Sequence, residues 1–369
     1  MYKGLYEEPV EKPMDMCVLQ WSAAMLGLLT VLASVYLFVL PHLHARAALA
    51  SGPPVVEEPP VVEPNKIIVR DDTEDLDEED RLGGKICMEL PEGITEDQIV
   101  IENDYLTQNL SVRFACREED YFAKYRIRGS GEKIDSISYS REGTDGVVVF
   151  GLNAVYEPEK YCEDGCLYLQ FLSPHEVYDK VVVVDAGHGG KDPGAVMNNI
   201  YEKAIDLEIL LELKQMFDGN DGNIGVYYTR TADTNPTLNQ RVQLANKSNA
   251  NLFVSIHNNS TPSGEFDGTH GTAVMYSESE ESDLSELTSR RFGQICLDHM
   301  VEALGSRRRG LNKGDSVYII RTSDVPVALI EVGFMTNREE LRNLQSREYQ
   351  HKAAEAIFDA VMQAFEEGF

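Results

Sequence analysis

The chain has 369 residues, of which 43% are hydrophobic, and its formal net charge is −29 at pH 7. This length is sufficient for two domains and for at least one sizeable core. The acidic excess argues against a nucleic-acid partner, because a phosphate backbone is bound by a basic excess.

Near the N-terminus, a short tail at 1–17 is followed by an almost uninterrupted apolar run at 18–40. As a helix, this run would extend about 35 Å at about 1.5 Å per residue, which is enough to cross a bilayer. We therefore predict a transmembrane helix that anchors a single-pass protein in the cell membrane. The alternative is a secretory signal cleaved near Ala50, where Ala48-Leu49-Ala50 has the small residues of a cleavage site.

The segment at 41–82 is rich in proline and in acidic side chains. Eight of the ten residues from Asp71 to Asp80 are acidic. Like charges at this density repel each other and cannot form a packed core. The composition therefore predicts an extended, solvated linker between the membrane and the rest of the protein.

Residues 83–176 contain short apolar segments separated by Gly, Pro, Asp and Asn, a pattern typical of a small all-β, sandwich-like domain. We predict seven strands, at 86–90, 98–101, 111–115, 125–128, 134–140, 147–152 and 167–172. No group of catalytic side chains occurs in this stretch of sequence. We therefore interpret the domain as a binding or spacer module.

The sequence contains six cysteines, namely Cys17, Cys87, Cys116, Cys162, Cys166 and Cys296. Cys17 lies at the edge of the apolar run and is interpreted as an apolar residue of that run. Cys162 and Cys166 flank a Glu-Asp-Gly turn, and they could form either a small local disulfide or two free thiols. No second Cys or His pair at zinc-finger spacing accompanies them, so they predict no metal site.

From 177 to 369 the pattern changes to strands that alternate with helices, which predicts an α/β domain. We expect a mixed, mostly parallel sheet with helices on both faces. The predicted strands are at 181–184, 224–228, 252–257, 272–276, 317–320 and 327–331. The predicted helices are at 205–217, 238–246 and 284–304, with terminal helices from 338 to 365.

Three of these strands end at side chains that can bind a metal or take part in catalysis. Four consecutive valines, at 181–184, predict a strand buried on both faces, and a glycine-rich turn with His188 follows it. In the same way, His257 follows an apolar strand, and Glu331 ends another. Ligands of open α/β sheets bind at the carboxyl ends of the strands. We therefore expect His188, His257 and Glu331 to meet at one edge.

Glu202 is a further candidate for this edge. It lies three residues before Ile205 and seven before Ile209, hence on the apolar side and at the N-terminal end of its predicted helix. Alone, a glutamate in a first helical turn usually only complements the helix dipole. Together with two histidines, it completes the ligand set of a hydrolytic zinc site. The sequence thus predicts that His188, Glu202 and His257 bind Zn²⁺.

A series of short motifs runs through residues 180–366. They are Asp185-Ala186-Gly187-His188-Gly189-Gly190 with Asp192-Pro193-Gly194-Ala195, Tyr201-Glu202-Lys203, Thr229-Arg230, Arg241 with Ala245-Asn246, Ser255-Ile256-His257-Asn258-Asn259, and Pro326 followed by Glu331-Val332-Gly333-Phe334-Met335-Thr336-Asn337. In these motifs the chain resembles the zinc-dependent N-acetylmuramoyl-L-alanine amidases, which cleave bacterial peptidoglycan. The resemblance implies that His188, Glu202 and His257 are zinc ligands and that Glu331 is the catalytic carboxylate. Asp185 is interpreted either as the group that orients a ligand histidine or as a structural cap of the loop.

The resemblance implies an enzyme whose substrate is peptidoglycan. It would hydrolyse the amide between N-acetylmuramic acid and the L-alanine of the stem peptide, with zinc-activated water and Glu331 as general base. Two alternatives stay open. One is a zinc peptidase that acts within stem peptides, and the other is a non-catalytic cell-wall-binding protein. The latter is disfavoured, because all four site residues are present.

Location and control follow from the same resemblance. Because peptidoglycan lies outside the cytoplasm, we expect the catalytic domain to be extracytoplasmic, and the domain at 83–176 loosely resembles wall-targeting modules. Only thirteen residues separate His257 from Gly271, which leaves no room for the autoinhibitory helix of some relatives. Asn198 and Asn199 stand where glycine is common in such enzymes. The sequence identifies no protein partner.

Overall fold

The computed structural model describes residues 84–278 and 288–369. The predicted transmembrane helix at 18–40 and the predicted linker at 41–82 lie outside the described residues, as does the start of the helix predicted at 284–304. Within the described ranges, no helix combines the length and the hydropathy needed to cross a membrane.

Between residues 86 and 172 the chain forms two four-stranded antiparallel sheets. The strands are β1 Ile86–Glu89, β2 Val100–Asp104, β3 Asn109–Ala115, β4 Ile127–Gly129, β5 Ile134–Glu142, β6 Asp145–Leu152, β7 Glu157–Glu163 and β8 Cys166–Leu172. One sheet has the order β4-β1-β8-β7 and the other has the order β2-β3-β6-β5. Apolar side chains of both sheets, among them Met88, Val148 and Leu169, form a single core.

Strand β7 was not predicted, because most of its residues are polar or charged. It forms a hairpin with β8 through Asp164 and Gly165, which both have positive φ angles, of 47° and 77°. An Asp-Gly pair between two strands is a signal for this two-residue turn. Cys162 pairs with Leu167, and Cys166 pairs with Glu163, so the two cysteines point to opposite faces of the hairpin. Both are free thiols in the structure.

The remainder of the chain forms an α/β region with one main sheet. Its elements are α1 Pro174–Val177, β9 Lys180–Ala186, β10 Val196–Met197, β11 Ile200–Tyr201, α2 Glu202–Asp218, β12 Ile224–Tyr228, α3 Leu238–Lys247, β13 Leu252–Asn259, β14 Thr272–Tyr276, α4 Ser289–Leu304, β15 Arg308–Lys313, α5 Tyr318–Arg321, β16 Val327–Phe334, α6 Arg338–Leu344 and α7 Arg347–Glu367. The sheet order is β12-β9-β13-β16-β14-β15. The four neighbouring strands β12, β9, β13 and β16 run parallel to one another. Strand β14 runs antiparallel to β16. The predicted mixed, mostly parallel sheet is therefore confirmed.

The valine run of β9 separates two cores, one on each face of the sheet. Val182 and Val184 pack with residues of α2, α4 and α7. Val181 and Val183 pack on the other face with residues of α3 and α5. All four valines are fully buried, as predicted from a run of β-branched residues with no polar alternation. Val155, which follows β6, joins the second core and donates its N–H to Lys247 O at 3.1 Å.

Two elements of the α/β region differ from the prediction. The predicted strand at 317–320 is wrong, since these residues begin the short helix α5, whose Ile319 and Ile320 are buried. A short apolar run does not distinguish a strand from a buried helical turn. Strand β15 was missed because it carries mostly polar residues, which an edge strand accepts.

Candidate active site

The parallel strands β9, β13 and β16 bring the predicted side chains to one edge of the sheet. His257 on β13 pairs in register with Glu331 on β16, and Ile256 pairs with Ala186 at the end of β9. His188 follows β9 by two residues and has a φ angle of 59°. The structure thus places His188, His257 and Glu331 together, as the strand pattern indicated.

Glu202 reaches the same edge because a tight hairpin directs the start of α2. Strands β10 and β11 pair through Met197 and Ile200, and only Asn198 and Asn199 lie between them. Both asparagines have positive φ angles, of 51° and 62°. Asparagine tolerates this left-handed conformation better than most residues. The pair therefore makes the turn without the glycine that is common at this place.

Two histidine nitrogens converge on one carboxylate oxygen. His188 Nε2 lies 3.2 Å from Glu202 Oε1, and His257 Nδ1 lies 3.1 Å from the same atom. Ligand atoms of a tetrahedral zinc ion, each about 2.0–2.1 Å from the metal, are separated by roughly 3.3 Å. The three side chains could therefore hold a zinc ion with only a small adjustment.

Backbone donors fix the carboxylate of Glu202. Its Oε2 accepts the Ala195 N–H at 2.7 Å, and its Oε1 accepts the Asn258 N–H at 3.0 Å. Burial alone would raise the pKa of Glu202, but hydrogen bonds from His188 and His257 lower that pKa well below its usual range. Glu202 is thus ionised at neutral pH, as a metal ligand must be.

Asp192 orients His188. The His188 Nδ1–H donates to Asp192 Oδ2 at 2.9 Å, which leaves Nε2 facing Glu202. Burial lowers the pKa of His188, but the carboxylates of Glu202 and Asp192 more than offset this and raise it to about 9. These charges favour a cation between the side chains. A carboxylate behind a ligand histidine is the usual arrangement in zinc sites.

Two glycines leave the space that the site side chains occupy. A Cβ atom on Gly187 would lie 2.3 Å from His257 Cε1. A Cβ atom on Gly194 would lie 2.6 Å from Glu202 Oε2 and 2.7 Å from His188 Cδ2. Side chains at these positions would displace the candidate ligands, which explains the two glycines in physical terms.

Glu331 lies beside this cluster and has an unusual environment. Its Oε2 atom is buried and has no hydrogen-bond partner among the described residues. Burial of the carboxylate raises the pKa of Glu331 to about 7, although the neighbouring His257 side chain opposes this effect. A carboxyl group with a pKa near neutrality can both accept and donate a proton under physiological conditions.

Asp185 has a structural position and does not orient a ligand histidine. Asp185 is fully buried, and its carboxylate accepts hydrogen bonds from the hydroxyl groups of Thr229 and Ser255, at 2.6 Å each. It also forms an ion pair with Arg241 Nη1 at 2.5 Å. Desolvation opposes its ionisation, but the Arg241 guanidinium lowers the pKa of Asp185 below its usual value. Of its two interpretations, the structural one is the one that the geometry supports.

Two buried arginines hold the backbone of the loop that carries His188. Arg241 donates to Ala186 O and to His188 O, at 2.6 Å each. Arg230 donates to Gly187 O at 2.6 Å. The loop carbonyls, which would otherwise be buried without partners, are thus satisfied by charged donors. Neither arginine was assigned a role from the sequence.

Asp206 was also missed in the sequence. It lies one helical turn after Glu202, and its carboxylate belongs to the same cluster, in which all candidate ligand atoms lie within 4.8 Å of one another. Asn258 Nδ2 donates to Asp206 Oδ1 at 2.8 Å. Burial, with repulsion from Glu202, raises the pKa of Asp206 well above its usual value. Because Asn258 already binds one oxygen of Asp206, we keep His188, Glu202 and His257 as the candidate ligand set and place Asp206 beside it.

A cleft of about 290 Å³ opens beside His188 and His257. Its outer wall consists of Asn235, Pro236, Thr237, Leu238 and Ile319. Of these residues, Leu238 is 54% exposed and lies at the mouth of the cleft. A larger cleft, of about 430 Å³, lies between Tyr105 and β12 and contains none of the site residues.

Comparison with known proteins identifies the family of the C-terminal half of the chain. Residues 182–363 match a family model described as N-acetylmuramoyl-L-alanine amidase. Uncharacterized protein YqiI of Bacillus subtilis is 37% identical over 182 residues, which cover 49% of this chain and 83% of that protein. The germination-specific N-acetylmuramoyl-L-alanine amidase of Bacillus subtilis is 30% identical over 202 residues, which cover 51% of this chain and 81% of that protein.

Among solved structures, one similar chain is the catalytic domain of CwlV, an N-acetylmuramoyl-L-alanine amidase from Bacillus (Paenibacillus) polymyxa var. colistinus. It is 34% identical, and the match covers 51% of this chain and 98% of that chain with a TM-score of 0.46. The family-model match at 182–363 and the germination-specific relative determine the assignment: the chain belongs to the N-acetylmuramoyl-L-alanine amidase family.

Proposed function

We propose that the protein is a zinc-dependent N-acetylmuramoyl-L-alanine amidase with His188, Glu202 and His257 as metal ligands and Glu331 as general base. The observation that carries this proposal is the convergence of His188 Nε2 and His257 Nδ1 on Glu202 Oε1, at 3.2 and 3.1 Å. Two imidazoles and one carboxylate leave a fourth position for water or substrate, as in hydrolytic zinc sites. Family membership supports the choice of peptidoglycan as substrate.

Hydrolysis of an amide needs an activated water, charge relief on the carbonyl oxygen and a proton for the leaving nitrogen. Zinc held by the three ligands supplies the first two, because it lowers the pKa of water and polarises carbonyl groups.

The chain's own residues supply the rest of the chemistry. Glu331 accepts the proton of the attacking water and donates it to the nitrogen of L-alanine, a double role that suits a pKa of about 7. Asp192 keeps the His188 ring in the orientation that directs Nε2 to the centre. Arg230 and Arg241 hold the backbone on which His188 is mounted.

Product analysis tests this proposal. Purified peptidoglycan is digested with the full-length, zinc-loaded protein in mild detergent, and the products are identified by mass spectrometry. An amidase yields free stem peptides with L-alanine at the amino end, and glycan chains with free lactyl groups. New ends inside the stem peptide would support the peptidase alternative, and binding without any product would support the non-catalytic one.

For location, we propose that the apolar run at 18–40 anchors the enzyme with its C-terminal part outside the cytoplasm. The length and composition of the run support this, as does the extracytoplasmic place of the substrate. We also propose that the region at 83–176 contacts the wall. Protease added to intact spheroplasts should digest the C-terminal region, and complete protection would contradict this orientation. A mature N-terminus near Ala50 would instead support secretion.

A further inference from the structure

Two exposed arginines border the segment at 260–271, on the side of the sheet that lies beyond Glu331. The guanidinium of Arg309 lies 4.9 Å from the centre of the Phe334 ring, and that of Arg338 lies 4.0 Å from the centre of the Phe266 ring. In the described part of the chain, no carboxylate lies within ion-pair distance of either arginine. Such cations are unexpected in a chain with 62 acidic and 33 basic residues.

Strand register gives the distance between this side and the catalytic centre. Glu331 pairs with Ala273 on β14, and Ala273 pairs with Gly310 on β15. Neighbouring strands lie about 4.8 Å apart, so two spacings separate Glu331 from Gly310 by roughly 10 Å. Arg309, next to Gly310, is therefore within reach of a short extended ligand that starts at Glu331.

A bulge directs Arg309 toward this position. Thr272 pairs with Arg308, whereas the next residue of β14, Ala273, pairs with Gly310. Arg309 is thus the extra residue of a β-bulge, and bulges next to active sites change the direction of a side chain. The guanidinium lies over Phe334, which is three residues after Glu331, and Nη1 approaches His270 O at 3.4 Å.

The other arginine is held in place by the 260–271 segment, which is attached to the start of α6. Asp267 N–H donates to Thr336 O at 3.0 Å, and Gly271 N–H donates to Glu340 Oε1 at 2.8 Å. The Phe266 ring beneath Arg338 is therefore part of an ordered rim.

Two carboxylates beside this rim already have donors. Glu340 accepts the Gly271 and Phe334 N–H groups, at 2.8 and 2.7 Å. Asp267 Oδ1 accepts the Thr269 N–H at 2.7 Å. Stacking on a ring uses the face of a guanidinium and leaves its N–H groups at the edge available to a ligand.

We propose that Arg309 and Arg338 form a carboxylate-binding subsite that selects an anionic peptide as the leaving half of the substrate. The proposal rests on the proposed function, because it takes a peptide amine as the leaving group. Glu331 must lie beside that amine in order to protonate it, and the two candidate ligand histidines lie on the opposite side, after β9 and on β13. The peptide then continues across β14 toward Arg309. An extended peptide advances about 3.3 Å per residue, so roughly 10 Å spans its first three residues, and side chains of the second and third are the ones closest to the two arginines.

The experiment compares two soluble glycan-linked muramoyl tripeptides. In one, the second and third residues carry free carboxylates, and in the other these groups are carboxamides. Wild-type full-length protein should prefer the carboxylate form by roughly tenfold or more in kcat/KM, the scale of a charge-assisted hydrogen bond. In the double variant Arg309→Gln/Arg338→Gln this preference should fall to about twofold or less, through KM, with kcat nearly unchanged.

Arg308→Gln is the matched control. It removes the same charge from the same strand, but Arg308 pairs with Asp298 of α4 at 2.6 Å and points away from this rim. The control should keep the wild-type preference. If the double variant does not fold, each single variant should show a partial loss.

Three results would overturn the subsite. They are a preference that survives in the double variant, an equal loss of activity on both substrates, and the same loss of preference in Arg308→Gln. If wild-type protein cleaves neither substrate at the muramoyl amide, the proposed function is contradicted, and so is the subsite, which depends on it. Cleavage without a preference for carboxylates contradicts the subsite alone.

Discussion

Glu331 and His257 are direct neighbours, paired in register on the parallel strands β16 and β13. This pairing places an acid–base group next to a candidate metal ligand without making it a ligand itself. The buried Oε2 atom of Glu331 has no partner among the described residues, and burial raises the pKa of its carboxyl to about 7. In the proposed mechanism, water activation and proton transfer therefore meet at these two residues.

The first prediction concerns Glu331→Gln. The variant should keep its zinc and its thermal unfolding temperature, because Gln has nearly the same shape and Glu331 is not a ligand. Turnover of peptidoglycan should fall by roughly 10²–10⁴-fold, the scale of a lost general base. Rates and zinc content are measured on the same preparation. Near-normal turnover would assign the proton transfer to another group.

The second prediction concerns the ligand set. Purified protein should contain about one zinc per chain by elemental analysis, and His188→Ala, Glu202→Ala and His257→Ala should each lose most of it. Asp206→Asn is the matched control, since Asp206 belongs to the same cluster but is not one of the three proposed ligands, and its Oδ1 is bound by Asn258. Zinc retention in all three ligand variants, or zinc loss in the control alone, would contradict the assignment.

The third prediction uses two glycines that have ordinary φ angles. Gly187→Ala should weaken zinc binding by roughly tenfold or more, because the added Cβ would lie 2.3 Å from the His257 ring and would displace it. Gly268→Ala, in the loop at 260–271, is the control, since a Cβ there meets no atom within 4 Å. Competition with a zinc-binding dye measures both. Equal zinc affinity in the two variants would show that the space at Gly187 is not needed.

The fourth prediction concerns the buried pair of Asp185 and Arg241. Arg241 lowers the pKa of Asp185 in the folded protein. In wild-type protein the ionised carboxylate therefore stabilises the fold at pH values above the unfolded pKa of about 3.9, and this stabilisation is lost as the pH falls below it. Arg241→Met should destabilise the fold by about 3–5 kcal/mol at pH 8, because it leaves a buried charge without a partner.

The pH dependence of this variant should have the opposite sign. Without Arg241, burial raises the pKa of Asp185, so the carboxyl becomes protonated, and less costly to bury, as pH falls. The deficit of Arg241→Met relative to wild type should therefore be smaller at pH 5 than at pH 8. Urea unfolding at both pH values measures it. A deficit that does not depend on pH would contradict this account of the pair.

The sequence predicted the strand ends well because their signals are local. Four valines before a glycine turn indicate a buried strand, and the register of the sheet then brings His188, His257 and Glu331 together. It did not predict that Asp192 is the partner of His188, because this contact depends on how the loop closes. Gly189 and Asp192 form an isolated bridge that brings Asp192 back to the His188 ring.

Asp206 and Arg309 were missed for a related reason. Asp206 looks like one polar residue in a helix, and only the buried contact with Asn258 shows its environment. Arg309 lies in a polar segment without apolar alternation, so neither strand β15 nor its bulge has a signal in the sequence. Features that depend on packing between distant segments are not encoded in local patterns.

Hydrolysis in water enriched with ¹⁸O tests the central claim most directly. Peptidoglycan is digested by the zinc-loaded, full-length protein, and the masses of the products are measured by mass spectrometry. The account predicts one ¹⁸O atom in the lactyl carboxylate of muramic acid, unlabelled stem peptides that begin with L-alanine, and no reaction with Glu331→Gln beyond its residual rate. An ¹⁸O atom in a carboxyl group of the stem peptide, with the lactyl group unlabelled, would contradict it.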